Sequence, residues 1–257
     1  MYLTIRGLVL RVTTYNDTDA LLTVLTHDHG KITIKARGLR RKNSPLSAPC
    51  QLLAYAEFTL FEYRGMYTIN EATSVELFQN LRRDLQKLSL GTYFAQVAEV
   101  LSQEDMPNPE LLSLVLNSLY ALAKLEIHER KVKAVFELRC ACIAGYMPDL
   151  SVCANCGDVM PDRFNIVSGQ LECQHCYDSA HGGIRMPIKP GTLQSMRYVC
   201  SCTAKQLFSF RINDETVCEF SDITESYLST QLERGFSALD FYKTLLVENG
   251  YTAGDTK

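Results

Sequence analysis

Apolar and polar positions follow two rhythms along the chain, with the change near residue 75. Before it, the apolar positions fall in short runs that read as β. Residues 8–13 and 20–26 are β-branched and apolar, 27–30 form a turn, and 31–36 alternate strictly. That alternation places Ile32 and Ile34 on one face and Lys31, Thr33 and Lys35 on the other, a hairpin strand with a basic outer side. A second hairpin is predicted from residues 52–62 and 66–72 around Arg64-Gly65, with Phe58 and Leu60 opposed to Thr59 and Phe61. About five short strands followed by helix predict a small barrel over residues 1–76, of the OB kind. An SH3-like barrel would give nearly the same pattern.

After residue 76 the spacing becomes three and four. Leu77, Phe78, Leu81, Leu85 and Leu88, then Phe94, Val97 and Leu101, predict two helical segments parted or bent at Gly91. Asn108-Pro109 reads as a cap and first turn. Residues 129–144 form a further periodic stretch ended by Gly145 and Pro148, and 196–208 and 224–247 read as helix again. Residues 77–257 are therefore expected to be an all-helical domain carrying an insertion at 150–185, with no internal repeat.

The insertion holds the chain's most specific motif. Cys153, Cys156, Cys173 and Cys176 form a CxxC-x16-CxxC array, spacing that suits one tetrahedral zinc ion bound by two thiolate pairs. A redox dithiol or a disulfide pair are the alternatives. Four thiolates fill the coordination sphere and leave no place for a catalytic water, so the predicted ion is structural. His175 and His181 are expected spectators. Cys50, Cys140, Cys142, Cys200, Cys202 and Cys218 lack the spacing and read as small buried apolar residues. Ten cysteines without an evident secretory leader predict a reducing compartment, the cytoplasm.

Hydrophobic content of 46% and charge of 21% describe an ordinary globular chain, and no apolar run reaches membrane-spanning length. Net charge is −3, yet residues 1–50 carry eight Lys and Arg against three Asp, a local +5 that leaves −8 on the remainder. Lys35, Arg37, Arg40, Arg41 and Lys42 concentrate that charge on one strand and the loop after it. Lysine and arginine there could neutralise phosphates of a nucleic acid without reading sequence; a merely solvated surface is the other reading. Aromatic residues that could stack on bases are Tyr15, Tyr55, Phe61, Tyr63 and Tyr67, although most strand aromatics are core. Arg130, Lys131 and Lys133 form a second basic cluster, read either as a solvated helix face or as a second DNA or partner contact. Arg139 is expected to pair with an internal carboxylate. No phosphate-binding glycine loop, nucleophile elbow or zinc-protease motif occurs, so a binding protein is expected rather than an enzyme.

Together these residues resemble the RecO family of bacterial recombination mediators. The likeness lies in GLVLRVTTYNDTDALLTVLTHDHGKITIKARGLRRKNS at 7–44, FELRCACIAGYMPDLSVCANCG at 136–157, SGQLECQHC at 168–176 and a weaker ERGFSALDF at 233–241. It implies an amino-terminal OB-fold, a helical carboxyl-terminal domain and, in many members, a four-cysteine zinc site. The implied activity is binding of single- and double-stranded DNA and annealing of complementary strands. With RecR, such proteins help RecA replace the single-strand-binding protein SSB, whose acidic tail is a further possible contact. The implied DNA-binding positions are Lys35, Arg37, Arg40, Arg41 and Lys42. Two departures stand out: Tyr15-Asn16-Asp17 where the family has an acidic residue directly after the tyrosine, and Ala36-Arg37-Gly38 where it has a Lys-Gly step. Two rival expectations remain: a scaffold whose barrel binds a protein, and a zinc-thiolate redox switch.

Overall fold

The computed structural model describes residues 2–177 and 183–248. Five strands, β1 (Tyr2–Thr14), β2 (Ala20–Thr26), β3 (Lys31–Ala36), β4 (Tyr55–Tyr63) and β5 (Met66–Glu76), close into a barrel in the order β1-β2-β3-β5-β4. All pairings are antiparallel except β3 with β5, which runs parallel through Ile34↔Tyr67 and Lys35↔Thr68. The long β1 serves two neighbours: Tyr2–Leu8 pairs with β4 and Gly7–Thr14 with β2, with a bulge between Val9 and Arg11. A bulge raises local twist, which lets one strand turn the corner between two partners.

Alternation along the strands fills the barrel. Ile32, Ile34, Phe58 and Leu60 lie inside with Val24 and Ile69, while Thr33 and Phe61 face out. Each such side chain contributes about 1.5–3 kcal/mol by leaving water. The fourth strand starts three residues later than its apolar pattern suggests, because Leu53 takes a positive φ of 63° and its amide donates to the Val9 carbonyl.

By its contacts the chain divides into two compact units: residues 1–125 with 236–257, and residues 126–235. The first unit adds to the barrel a 3-10 turn (Gln79–Arg83) and the helices α1 (Leu85–Leu101), α2 (Pro109–Lys124) and α6 (Ser237–Glu248). Asn108 caps α2 by accepting the Leu111 amide at 3.0 Å, and Asp84 caps α1 through the amides of Gln86 and Lys87. The expected break at Gly91 is absent, and α1 runs through it. A Cβ there would lie 2.8 Å from Leu53 Cδ1 and 3.2 Å from Leu119 Cδ2, so the glycine serves close packing rather than a bend. Tyr93 of α1 meets Phe236 edge-on, rings 5.4 Å apart, which fixes the chain leading into α6.

The second unit is not all-helical. Alongside α3 (Glu129–Ile143), α4 (Pro190–Ser201) and α5 (Asp214–Gln231) it holds a small sheet in the order β6-β8-β7-β9, from Asp149–Cys153, Gln170–Glu172, Arg163–Asn165 and Arg185–Pro187. Helix α4 begins at Pro190, a residue favoured in a first turn, and ends seven residues before the expected limit. The predicted helix at 224–247 is in fact two. Helix α5 starts where Asn213 accepts the Thr216 amide, and the turn at 232–236 separates it from α6.

Candidate nucleic-acid interface and thiolate cage

Sequence reasoning singled out a basic strand and loop, a basic helix start and four cysteines; their surroundings differ sharply. At the first, Arg37, Arg40, Arg41 and Lys42 are exposed and Lys35 is half-buried. The loop that carries them is tied down. Asp19, in the β1–β2 turn, accepts the Gly38 amide at 2.9 Å and pairs with Lys35 Nζ at 3.5 Å. Arg40 is anchored twice, its amide donating to Thr18 O at 3.0 Å and Nη1 to Asn16 O at 2.8 Å. Gly38 has φ +66°, a left-handed turn that a side chain would strain, and the Arg41 amide closes back onto its carbonyl at 3.1 Å. The Gly38 amide above all, with Asn16, Thr18 and Lys35, holds the Asp19 carboxyl down at about 2, so the tie stays charged. The short aspartate and asparagine of the turn thus accept backbone amides and also fix the basic loop. Lys35 Nζ sits over the Tyr15 ring, 4.5 Å from its centre, leaving Tyr15 exposed beside the cations.

The two lysines of the second basic cluster do not form a surface of either kind. Lys131 and Lys133 are buried, and Arg130 is half-buried with Nη1 donating to Cys218 Sγ at 3.1 Å. Lys131 lies over the Phe210 ring and donates to the Phe208 and Phe210 carbonyls. Lys133 bridges Glu137 at 3.1 Å and Glu225 at 2.8 Å, with Ser221 completing its hydrogen bonds. Burial opposes its charge, but the two carboxylates outweigh that and raise its pKa. Burial pushes Glu137 up to about 7. Lys133 therefore ties α3 to α5 and Lys131 ties α3 to the segment before α5, and DNA cannot reach either lysine. Arg139 donates through Nη1 to the Val199 and Cys200 carbonyls, at the end of α4 where orphan carbonyls favour a cation.

Cys153, Cys156, Cys173 and Cys176 converge, their sulfurs all within 4.8 Å of one another. Strand pairing does this: Cys153 ends β6 opposite Leu171 of β8, and Cys173 follows β8 directly. Each CxxC turns tightly, the Gly157 amide reaching Cys153 O at 2.9 Å and the Cys176 amide Cys173 O at 3.0 Å. Burial would raise the Cys153 thiol, but the amides of Cys156, Asn155 and Cys173 aimed at its sulfur bring it to about 6. Its neighbours drive Cys176 the other way, to about 12. Four thiolates this close repel, so the cage is suited to a cation. Thiolate–metal bonds of about 2.3 Å give tetrahedral edges of about 3.8 Å, and Cys156 and Cys173 already lie 3.6 Å apart. The four cysteines fit a metal ion. His175 is exposed on the second turn, and His181 lies outside the described residues. Cys50 and Cys140 are core residues as expected; Cys142 and Cys200 are only partly buried and adjoin, sulfurs 3.8 Å apart.

A closed barrel presenting a basic loop, with helices and a four-thiolate cage, is an arrangement compatible with a protein that handles nucleic acid. Known proteins narrow this. Residues 1–78 match the family model for the recombination protein O N terminal and residues 82–240 that for its C terminal. The DNA repair protein RecO of Acetivibrio thermocellus is 32% identical over 246 residues, covering 95% of this chain and 97% of that protein. That of Bacillus subtilis is 26% identical over 250 residues, covering 95% and 97%. This chain belongs to the RecO family, and that membership supports a role in recombinational DNA repair. Among the described residues no helix is long and apolar enough to cross a membrane.

Proposed function

We propose that this protein is a non-enzymatic DNA-binding and strand-annealing mediator of recombinational repair, acting in the cytoplasm on nucleoid DNA. The observation that carries the reading is the loop of Arg37, Arg40, Arg41 and Lys42. It is exposed, pinned by Asp19 and Asn16, and continuous with Lys35 on the barrel wall. Order 1-2-3-5-4 with a parallel β3·β5 contact supports reading the barrel as an OB-fold, which binds oligonucleotides through a strand face and adjoining loops. Pinned cations neutralise phosphates without reading bases, and sequence-blind contacts are what annealing any two complementary strands requires. RecR and SSB are its partners in this reading, with RecA loading as the outcome, as the resemblance to the RecO family implies. One zinc ion held by Cys153, Cys156, Cys173 and Cys176 would cross-link the two CxxC turns and stabilise the small sheet, with no open position for chemistry. The test is annealing of SSB-coated complementary oligonucleotides by the purified protein. Faster annealing than SSB alone, lost in an Arg40→Glu/Arg41→Glu variant, supports the reading; equal rates for wild type and variant overturn it.

A further inference from the structure

The outer wall of the barrel carries an aromatic stripe that strand register assembles. Tyr2, Phe61, Tyr63 and Met66 are exposed at 63%, 42%, 60% and 65%. They adjoin: Tyr2 pairs with Phe61 and Tyr63 with Met66 across neighbouring strands, and Phe61 and Tyr63 share a face of β4. The Tyr2 and Phe61 rings are 5.4 Å apart, and the Arg64 guanidinium lies 5.2 Å from the centre of the Tyr63 ring. Other rows of the same wall are different. Thr4 faces Thr59, and Arg6 faces Glu57 in a 2.8 Å ion pair. Exposed rings are thus confined to the end of the wall at the β4–β5 turn.

Strand register connects this stripe to the basic loop. Tyr2 is opposite Phe61, Phe61 opposite Thr68, and Thr68 opposite Lys35. Directly paired residues point to the same side of a sheet, so these four form one row across β1, β4, β5 and β3. At about 4.8 Å per strand the row is about 14 Å long. It runs from bare aromatic rings at one end to a lysine at the other, where Tyr15 and the pinned arginines begin. A single strand needs both features side by side, cations for the backbone and flat apolar faces for unpaired bases. A base-paired duplex offers no such faces.

We infer that the stripe of Tyr2, Phe61 and Tyr63 is a base-stacking platform for single-stranded DNA, continuous with the phosphate contacts of the Lys35–Lys42 segment. This deepens the function proposed above and rests on it. The platform is what distinguishes single strands from duplex, whereas the basic loop holds both.

The full-length protein and its Phe61→Ala/Tyr63→Ala variant are titrated, by fluorescence anisotropy, with labelled oligo(dT), an abasic strand of equal length and a blunt duplex. The variant is expected to lose about 5- to 100-fold in affinity for oligo(dT). Its affinities for the abasic strand and the duplex stay near wild type, as does its salt dependence. Phe61→Tyr/Tyr63→Phe should restore oligo(dT) binding, since it keeps the ring faces. Unchanged oligo(dT) binding, as for a protein-docking stripe, or an equal fall for all three ligands, overturns the inference. The Arg40→Glu/Arg41→Glu variant in the same series tests the underlying reading separately, because it should weaken all three.

Discussion

Replacing Lys133 by methionine gives a sharp test of the buried charge cluster. The lysine side chain is 3% exposed and Glu137 is 0% exposed, while Glu225 keeps 18% of its side chain in solvent. Methionine retains most of the stem but removes the ammonium that serves both carboxylates and Ser221. Glu225 can turn to water; Glu137 cannot. Removing one partner of a buried pair costs about 3–5 kcal/mol, against about 5–15 kcal/mol for the whole stability of a typical protein. The cost should depend on pH with a definite sign. Glu137 titrates at about 7 in the folded protein against an ordinary 4.5, so the folded state binds the extra proton between those values. Stability from this group is therefore greatest in acid and declines as pH rises from 4.5 to 7. Without Lys133 the carboxyl rises further, so Lys133→Met should be most damaging above pH 7 and less so near pH 5.5. Urea unfolding followed by circular dichroism at pH 7.5 and 5.5 measures both values, and Lys133→Met/Glu137→Gln should recover much of the loss. A loss below about 1 kcal/mol at pH 7.5, or equal losses at both pH values, would refute this account of the cluster.

Other consequences follow from the sites. Phe58→Ala empties the centre of the barrel and should cost about 3–5 kcal/mol in urea unfolding; a cost under 1 would mean that the barrel core is misassigned. The purified protein should carry one metal ion, and Cys173→Ser should lower both the metal content and the melting temperature; stoichiometric metal retained by the variant would exclude the four-thiolate cage. Asp19→Ala removes the acceptor of the Gly38 amide and the partner of Lys35. Hydrogen exchange by mass spectrometry should then speed up over residues 37–44 and not in the strands. In the wild type this tie is present above pH 4 and is lost as pH falls toward 2, because the carboxyl is depressed to about 2.

What could be read from sequence alone divides by the range of the physics involved. The convergence of the four cysteines was legible, since ligand spacing is local. Strand alternation over 31–36 and 58–61 was equally plain, because one buried face enforces period two. Misreadings arose where a distant partner decides. Nothing local to Lys131 and Lys133 announces Glu225 or the Phe208 and Phe210 carbonyls, so a buried network looked like a charged surface. Gly91 looked like a break, although its role is set by Leu53 and Leu119. The three-residue strands at Arg163 and Gln170 are too short to show a period. Alternation set Phe61 on the face opposite Phe58 and Leu60, but that this face also gathers Tyr2 and Tyr63 depends on register with β1 and the β4–β5 turn.

Salt dependence of single-strand binding bears most directly on the central claim that the pinned basic loop holds DNA by its phosphates. Association constants for oligo(dT), plotted logarithmically against salt concentration, give a slope of about 0.7 per phosphate contact. For Arg40→Glu/Arg41→Glu the account predicts weaker binding and a slope shallower by about 1.4, the loss of two contacts. Wild-type and variant lines that superimpose would contradict it.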